Sequence, residues 1–231
     1  MTGHTLFLSV FVLACTAFPS QLFRLTTAGS PGGGVASGVT RAGVRRWVAH
    51  AVELVPAVSL SVVAALAWAV APATGVAAVP DGWWWLAVAV AVGALAPGGE
   101  IALGVVAAKA QGARVDRIAL HSRAPAASAV AVVGAALVAA AEEVLFRGIG
   151  QHLLDVVLGW PAVLAIGLTA VLYGLNHLYF GWLTVGQKVF TGAVFGSLYV
   201  LAGLSVLVPV VAHVVQNVVV LTILPRWVER R

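Results

Sequence analysis

Val138 to Gly150 reads V-A-A-A-E-E-V-L-F-R-G-I-G, placing the adjacent carboxylates Glu142 and Glu143 in apolar sequence with Arg147 four residues beyond the second. A carboxylate in a bilayer costs about 2.5–3.5 kcal/mol on insertion scales, so such a group usually marks a function. Two of them beside one arginine are hard to explain as packing.

The rest of the chain puts this stretch in a membrane. It has 231 residues, 61% hydrophobic and 9% charged, with a mean hydropathy of +1.02. Those values define the polytopic membrane class. The net charge of +5 would suit a nucleic acid in a soluble protein. In short loops of a membrane protein, basic residues report topology instead, and no nucleic-acid partner is expected. Cys15 is the single cysteine, which excludes an intrachain disulfide and cysteine metal clusters.

Apolar runs of about 20 residues, the length that crosses about 30 Å of hydrocarbon, fall near 5–22, 49–72, 83–107, 127–146, 161–178, 186–203 and 205–224. The expected fold is an all-α polytopic membrane protein, a bundle of about seven (six to eight) transmembrane helices. Thr5 to Phe18 lacks a basic segment before it and reads as a retained first helix, not a cleaved leader. Leu25 to Arg46 is a flexible Gly-rich loop with a basic end, and Trp83-Trp84-Trp85 an interfacial belt. Pro97-Gly98-Gly99 is expected to break or kink the third span near Glu100. Three regions follow: N-terminal helices and basic loops (1–125), a helical core carrying the polar residues (126–225), and a basic tail (226–231).

Seven spans place every basic residue except Arg147 on one side, counting Lys188 in or beside the loop after the fifth span. The positive-inside rule makes that side cytoplasmic, with the C-terminus in the cytoplasm and the plasma membrane as the expected address.

On a helix, Glu143 and Arg147 share a face at i and i+4, acid before base, the order that favours an ion pair. Glu142 points about 100° away. Glu143 is therefore the structural partner of Arg147, and Glu142 is free to act as a general base. Two later spans bring more polar groups: Tyr173 and His177 one turn apart, and His213 and Asn217 one turn apart. Such groups face the bundle interior and find each other. Asn176 reads as no more than interhelical hydrogen bonding, and His4, His50, His121 and His152 as residues of loops or span ends without chemistry.

E-E-x-x-x-R at Glu142–Arg147, aromatic-x-x-x-H at Tyr173–His177 and H-x-x-x-N at His213–Asn217 follow one another along the expected helices. That pattern resembles the CPBP family of intramembrane proteases, also called the Abi or CAAX protease family, over roughly residues 126 to 225. Phe146-Arg147-Gly148 is also typical, whereas Tyr173 stands where the family usually has phenylalanine and keeps the aromatic body. The resemblance implies an endopeptidase acting on a membrane-associated or prenylated-type peptide or protein substrate. In it Glu142 activates water, His177 positions it, and His213 and Asn217 stabilise the oxyanion, while Glu143 and Arg147 hold the site together.

The family has been described both as metal-independent and as metalloproteases. Were zinc bound, Glu142, His177 and His213 would be its ligands, with a fourth position for water. No H-E-x-x-H helix is present, and metal-free activation of water is preferred here. Two other functions use the same residues. One is a proton-coupled transporter or channel, since intramembrane Glu, Arg and His form proton relays. The other is a non-catalytic immunity or scaffold protein.

Overall fold

Residues 58, 61–62, 64–65, 79–112 and 128–228 are described by the computed structural model of the protein. The expected first span, the Gly-rich loop, most of the span at 49–72, the loop at 113–127 and the last three residues lie outside them. Among the described residues every regular element is helical. In chain order these are α1 (Trp84–Ala110), α2 (Ala129–Glu143), α3 (Ala162–Leu175), α4 (Trp182–Leu201) and α5 (Leu207–Val218). Two of them continue with π geometry: α2 through Val144–Gln151 and Leu153–Val157, and α5 through Val219–Ile223 before a last α-helical turn, Leu224–Val228.

Trp84–Ala110, Ala129–Val157 and Leu207–Arg226 are long and apolar enough to cross a membrane, and Ala162–Leu175 is a shorter apolar helix. Burial is inverted relative to a soluble bundle. Leu95 and Val163 are 73% and 76% exposed, whereas Glu143 and Arg147 have no exposed surface. Apolar residues outside and charges inside are what a hydrocarbon solvent selects.

The sequence places the end of the fourth span at residue 146, but the helix runs on to Val157. The polar residues that looked like a helix end have partners within the bundle. Arg147 and Gln151 donate to the carbonyls of Gly192 and Gly196, and His152 meets the Tyr199 hydroxyl. The polar contacts let the helix continue, and the wide π turns accompany them. Glu142 thus sits near the midpoint of a 29-residue helix, not near its end. Two more boundaries differ. α1 is uninterrupted through Pro97, and α4 begins at Trp182, not near 186, which sets Lys188 well inside the helix and not at its edge.

Contacts fix the direction of each rod. α3 and α4 form an antiparallel hairpin in which Gly174 lies against Val185 and Val189, and Gly192 against Ala170 and Tyr173. The π-helical part of α2 runs parallel to α4, as the Gly192 and Gly196 bonds show. α5 is antiparallel to α2 and parallel to α1, whose Gly93 faces Ala212 and Val215. The C-terminal ends of α1, α3 and α5 therefore share one end of the bundle. Without a hydrophobic drive between helices in lipid, close approach through small residues supplies much of the packing.

Gly93 tests this packing, because an added Cβ would overlap the backbone of Ala212. Gly93→Leu should force α1 and α5 apart and destabilise the bundle by about 1–3 kcal/mol, as core overpacking does. A lowered unfolding temperature in detergent is the expected reading; an unchanged one would contradict the α1–α5 contact.

Candidate active site

Glu143 and Arg147 form the buried base of the site. Arg147 Nη1 donates to Glu143 Oε1 at 3.2 Å and lies 3.1 Å from Oε2. Its Nη2 donates to the Gly192 carbonyl at 2.9 Å, and the guanidinium carbon lies 4.9 Å from the centre of the Tyr173 ring. One cation, paired within its own helix to Glu143, thus ties α2 to α4 by a charge-assisted hydrogen bond and to α3 by a ring face.

Glu143 has a second partner that helical spacing does not reveal. Its Oε1 also accepts from His213 Nδ1 at 2.8 Å. An ionised carboxylate only accepts, so the Nδ1 of His213 carries the proton in this bond. The other ring nitrogen, Nε2, then faces Glu142 Oε2 at 3.8 Å and the Tyr173 hydroxyl at 3.4 Å. A histidine oriented by a carboxylate through Nδ1, with Nε2 turned to the reacting side, is a recurrent arrangement in hydrolases.

The two glutamates differ as their helical angles require. Glu143 is sealed from solvent, whereas Glu142 retains 6% of its surface. Glu142 Oε1 accepts from Asn176 Nδ2 at 3.4 Å. His177, next to Asn176, is only half-buried and donates Nδ1–H to the Tyr173 carbonyl at 3.0 Å, leaving Nε2 available. Its ring packs edge-on against Tyr173, with centroids 4.9 Å apart. Tyr173, itself fully buried, touches both histidines, and the hydroxyl that distinguishes it from phenylalanine is used.

Asn217 lies elsewhere. Its amide donates to the Ala135 carbonyl at 3.1 Å, almost two turns before Glu142, and so joins α5 to α2. The expected oxyanion donor is thus engaged by backbone. Sequence reasoning missed three contributors. Asn176 touches Glu142 although it reads as bland, and a half-apolar helix end gives no signal for that. Gly192 contributes only a carbonyl, which sequence cannot flag. His152, read as a span-end or loop residue, is buried within the helix against Tyr199, where it helps join α2 to α4.

The zinc reading requires Glu142, His177 and His213 to converge. Among the described residues no group of three or more His, Cys, Asp or Glu side chains forms such a donor set. Among these residues the arrangement does not fit a three-ligand metal centre.

Helices that expose apolar residues and enclose a carboxylate–imidazole cluster define a membrane-embedded protein with hydrolase-like groups at its core. Residues 124–219, under half of the chain, match the family described as Type II CAAX prenyl endopeptidase Rce1-like, a likeness that supports a membrane protease of the CAAX type. The matched stretch contains Glu142, Glu143, Arg147, Tyr173, His177, His213 and Asn217. No curated protein and no solved structure matches the chain.

Removing Arg147 would leave Glu143 buried without its cation. Arg147→Met should cost about 3–5 kcal/mol, the range for breaking a buried pair from one side. Unfolding in detergent measures this. A variant as stable as the parent would refute the structural role of the pair.

Proposed function

We propose that the chain is an intramembrane endopeptidase in which Glu142 activates water for attack on a peptide carbonyl. The observation that carries this reading is the unequal environment of the paired glutamates. Glu143 is fully sealed and held by Arg147 and His213, whereas Glu142, though buried, keeps 6% of its surface exposed and faces His213 Nε2. A base must meet its water, and of the two Glu142 is the one with exposed surface.

Glu142 takes a proton from water as the oxygen attacks the carbonyl carbon. The carbonyl oxygen becomes an oxyanion, which His213 stabilises as the imidazolium, with one N–H on Glu143 and the other, at Nε2, turned to the reacting side. His213 acts from a fixed position, since its far nitrogen is held by Glu143. Donors fixed in advance in a water-poor chamber stabilise developing charge without reorganising. Glu142 then returns the proton to the leaving nitrogen, the C–N bond breaks, and carboxylate and amine products separate. Asn217 supports this by clasping α5 to α2 at Ala135, and Glu143 and Arg147 by holding His213.

The substrate class proposed is a membrane-associated or prenylated-type peptide, in line with the family's description. Residues 126–225 form the catalytic core in this reading. The site opens toward the bundle end shared by Lys109, His177 and Arg226. α3 has 14 residues, about 21 Å of helix, and stops short of a layer about 30 Å thick. The basic residues at that end make it the cytoplasmic one.

Glu142→Gln keeps the size of the side chain and removes the base. Cleavage of a reporter peptide by purified protein should fall by about 10²–10⁴-fold, the usual contribution of a general base. Cleavage at the parent rate would overturn the reading. A transporter would instead retain proton-coupled flux in vesicles without cleaving any peptide.

A further inference from the structure

Glu100 is the one carboxylate of α1, and α1 lies outside the stretch that matches the family. An acidic side chain in a membrane-crossing helix is costly unless it is used. Its Oε1 accepts from Thr191 Oγ1 at 2.6 Å, Lys188 Nζ at 2.8 Å and Gln216 Nε2 at 3.0 Å. Its backbone carbonyl accepts from Gln187 Nε2 at 2.7 Å. One residue of α1 thus collects side chains from α4 and α5.

The positions of those donors matter more than their number. Thr191 immediately precedes Gly192, the carbonyl that receives Arg147. Gln216 is three residues beyond His213 on α5 and is 1% exposed. A step of one residue along α5 moves a side chain about 1.5 Å and turns it about 100°. Such a slip would carry His213 away from both Glu142 and Glu143. Holding Thr191 and Gln216 on one oxygen prevents α4 and α5 from sliding independently.

We propose that Glu100 is a positioning residue of the cleavage site, holding the Gly192 carbonyl and His213 in register with Glu142 through Thr191 and Gln216. The proposal rests on the catalytic reading of Glu142. It gives the N-terminal part of the chain a defined task in catalysis, without contact to the reacting atoms.

Removing Glu100 alone would leave Lys188 unpaired, so the test uses two charge-free pairs. Glu100→Gln with Lys188→Met retains an acceptor oxygen for Thr191 and Gln216. Glu100→Leu with Lys188→Met does not. Both are purified in detergent, checked for equal unfolding temperature, and assayed for kcat and KM on one reporter peptide. The Gln pair should keep kcat within about 3-fold of the parent. The Leu pair should lose about 30–100-fold in kcat, with KM within about 3-fold, since a shift near 1 Å in a site can cost about 10²-fold. Adding Gln216→Leu to the Leu pair should then change little, because residues that act in series are non-additive. Equal kcat in the two pairs, a loss confined to KM, or a fully additive Gln216→Leu effect would overturn the proposal. A Glu142→Gln control that cleaved at the parent rate would overturn the catalytic reading as well. An inert control beside equal pairs would overturn the positioning role alone.

Discussion

The sealed contact between Glu143 and Arg147 is the constraint on which the remaining geometry depends. Neither side chain reaches solvent, so whatever compensation each receives comes from inside the bundle. Arg147 finds it in Glu143, the Gly192 carbonyl and the Tyr173 ring, which lie on three elements. Glu143 finds it in Arg147 and His213. Satisfying two charges thereby sets the relative placement of α2, α3, α4 and α5. The same bonds turn His213 so that one nitrogen is held and the other faces Glu142. Structure and site share a single electrostatic solution.

Small residues make that solution reachable. The Gly192 carbonyl can receive Arg147 because a glycine allows α4 to lie against Ala170 and Tyr173 of α3. Gly93 does the same for α1 against α5, near the level at which Glu100 gathers Thr191, Lys188 and Gln216. Close backbone approach in lipid brings polar groups within bonding range, and the bonds then resist sliding. Two polar clusters, one around Arg147 and one around Glu100, are linked through Thr191–Gly192 and through His213–Gln216. Apolar helices that would otherwise slip past each other acquire a defined register.

The candidate site was legible to the extent that helical spacing carries information. Glu143 and Arg147 at i and i+4 do pair, and Glu142 does point elsewhere. Spacing says nothing about partners on other helices. The bond from His213 to Glu143, the amide of Asn176 on Glu142, and the attachment of Asn217 to Ala135 depend on which rods are neighbours and at what height. Lys188 shows the same limit. Its charge suggested the edge of a span, in or beside a loop, whereas an ion pair with a carboxylate 88 positions away holds it well inside α4. The end of the helix carrying Arg147 was misjudged for a related reason. Polar residues end a helix when water must satisfy them, and they need not when a neighbouring helix can.

By itself the sequence determined the solvent, the helical class and the heart of the polar cluster, Glu142, Glu143, Arg147, Tyr173 and His213. Hydrophobic runs admit only helices, because backbone groups in hydrocarbon must be satisfied within their own segment. Rare charges in such runs must face inward and meet. Tertiary structure alone decided how they meet: which glutamate is sealed, which nitrogen of His213 is held, and that α1 joins the site through Glu100. Those outcomes rest on distances between separate helices. Such distances are set by close packing at Gly93, Gly174 and Gly192, to which no local pattern of residues gives access.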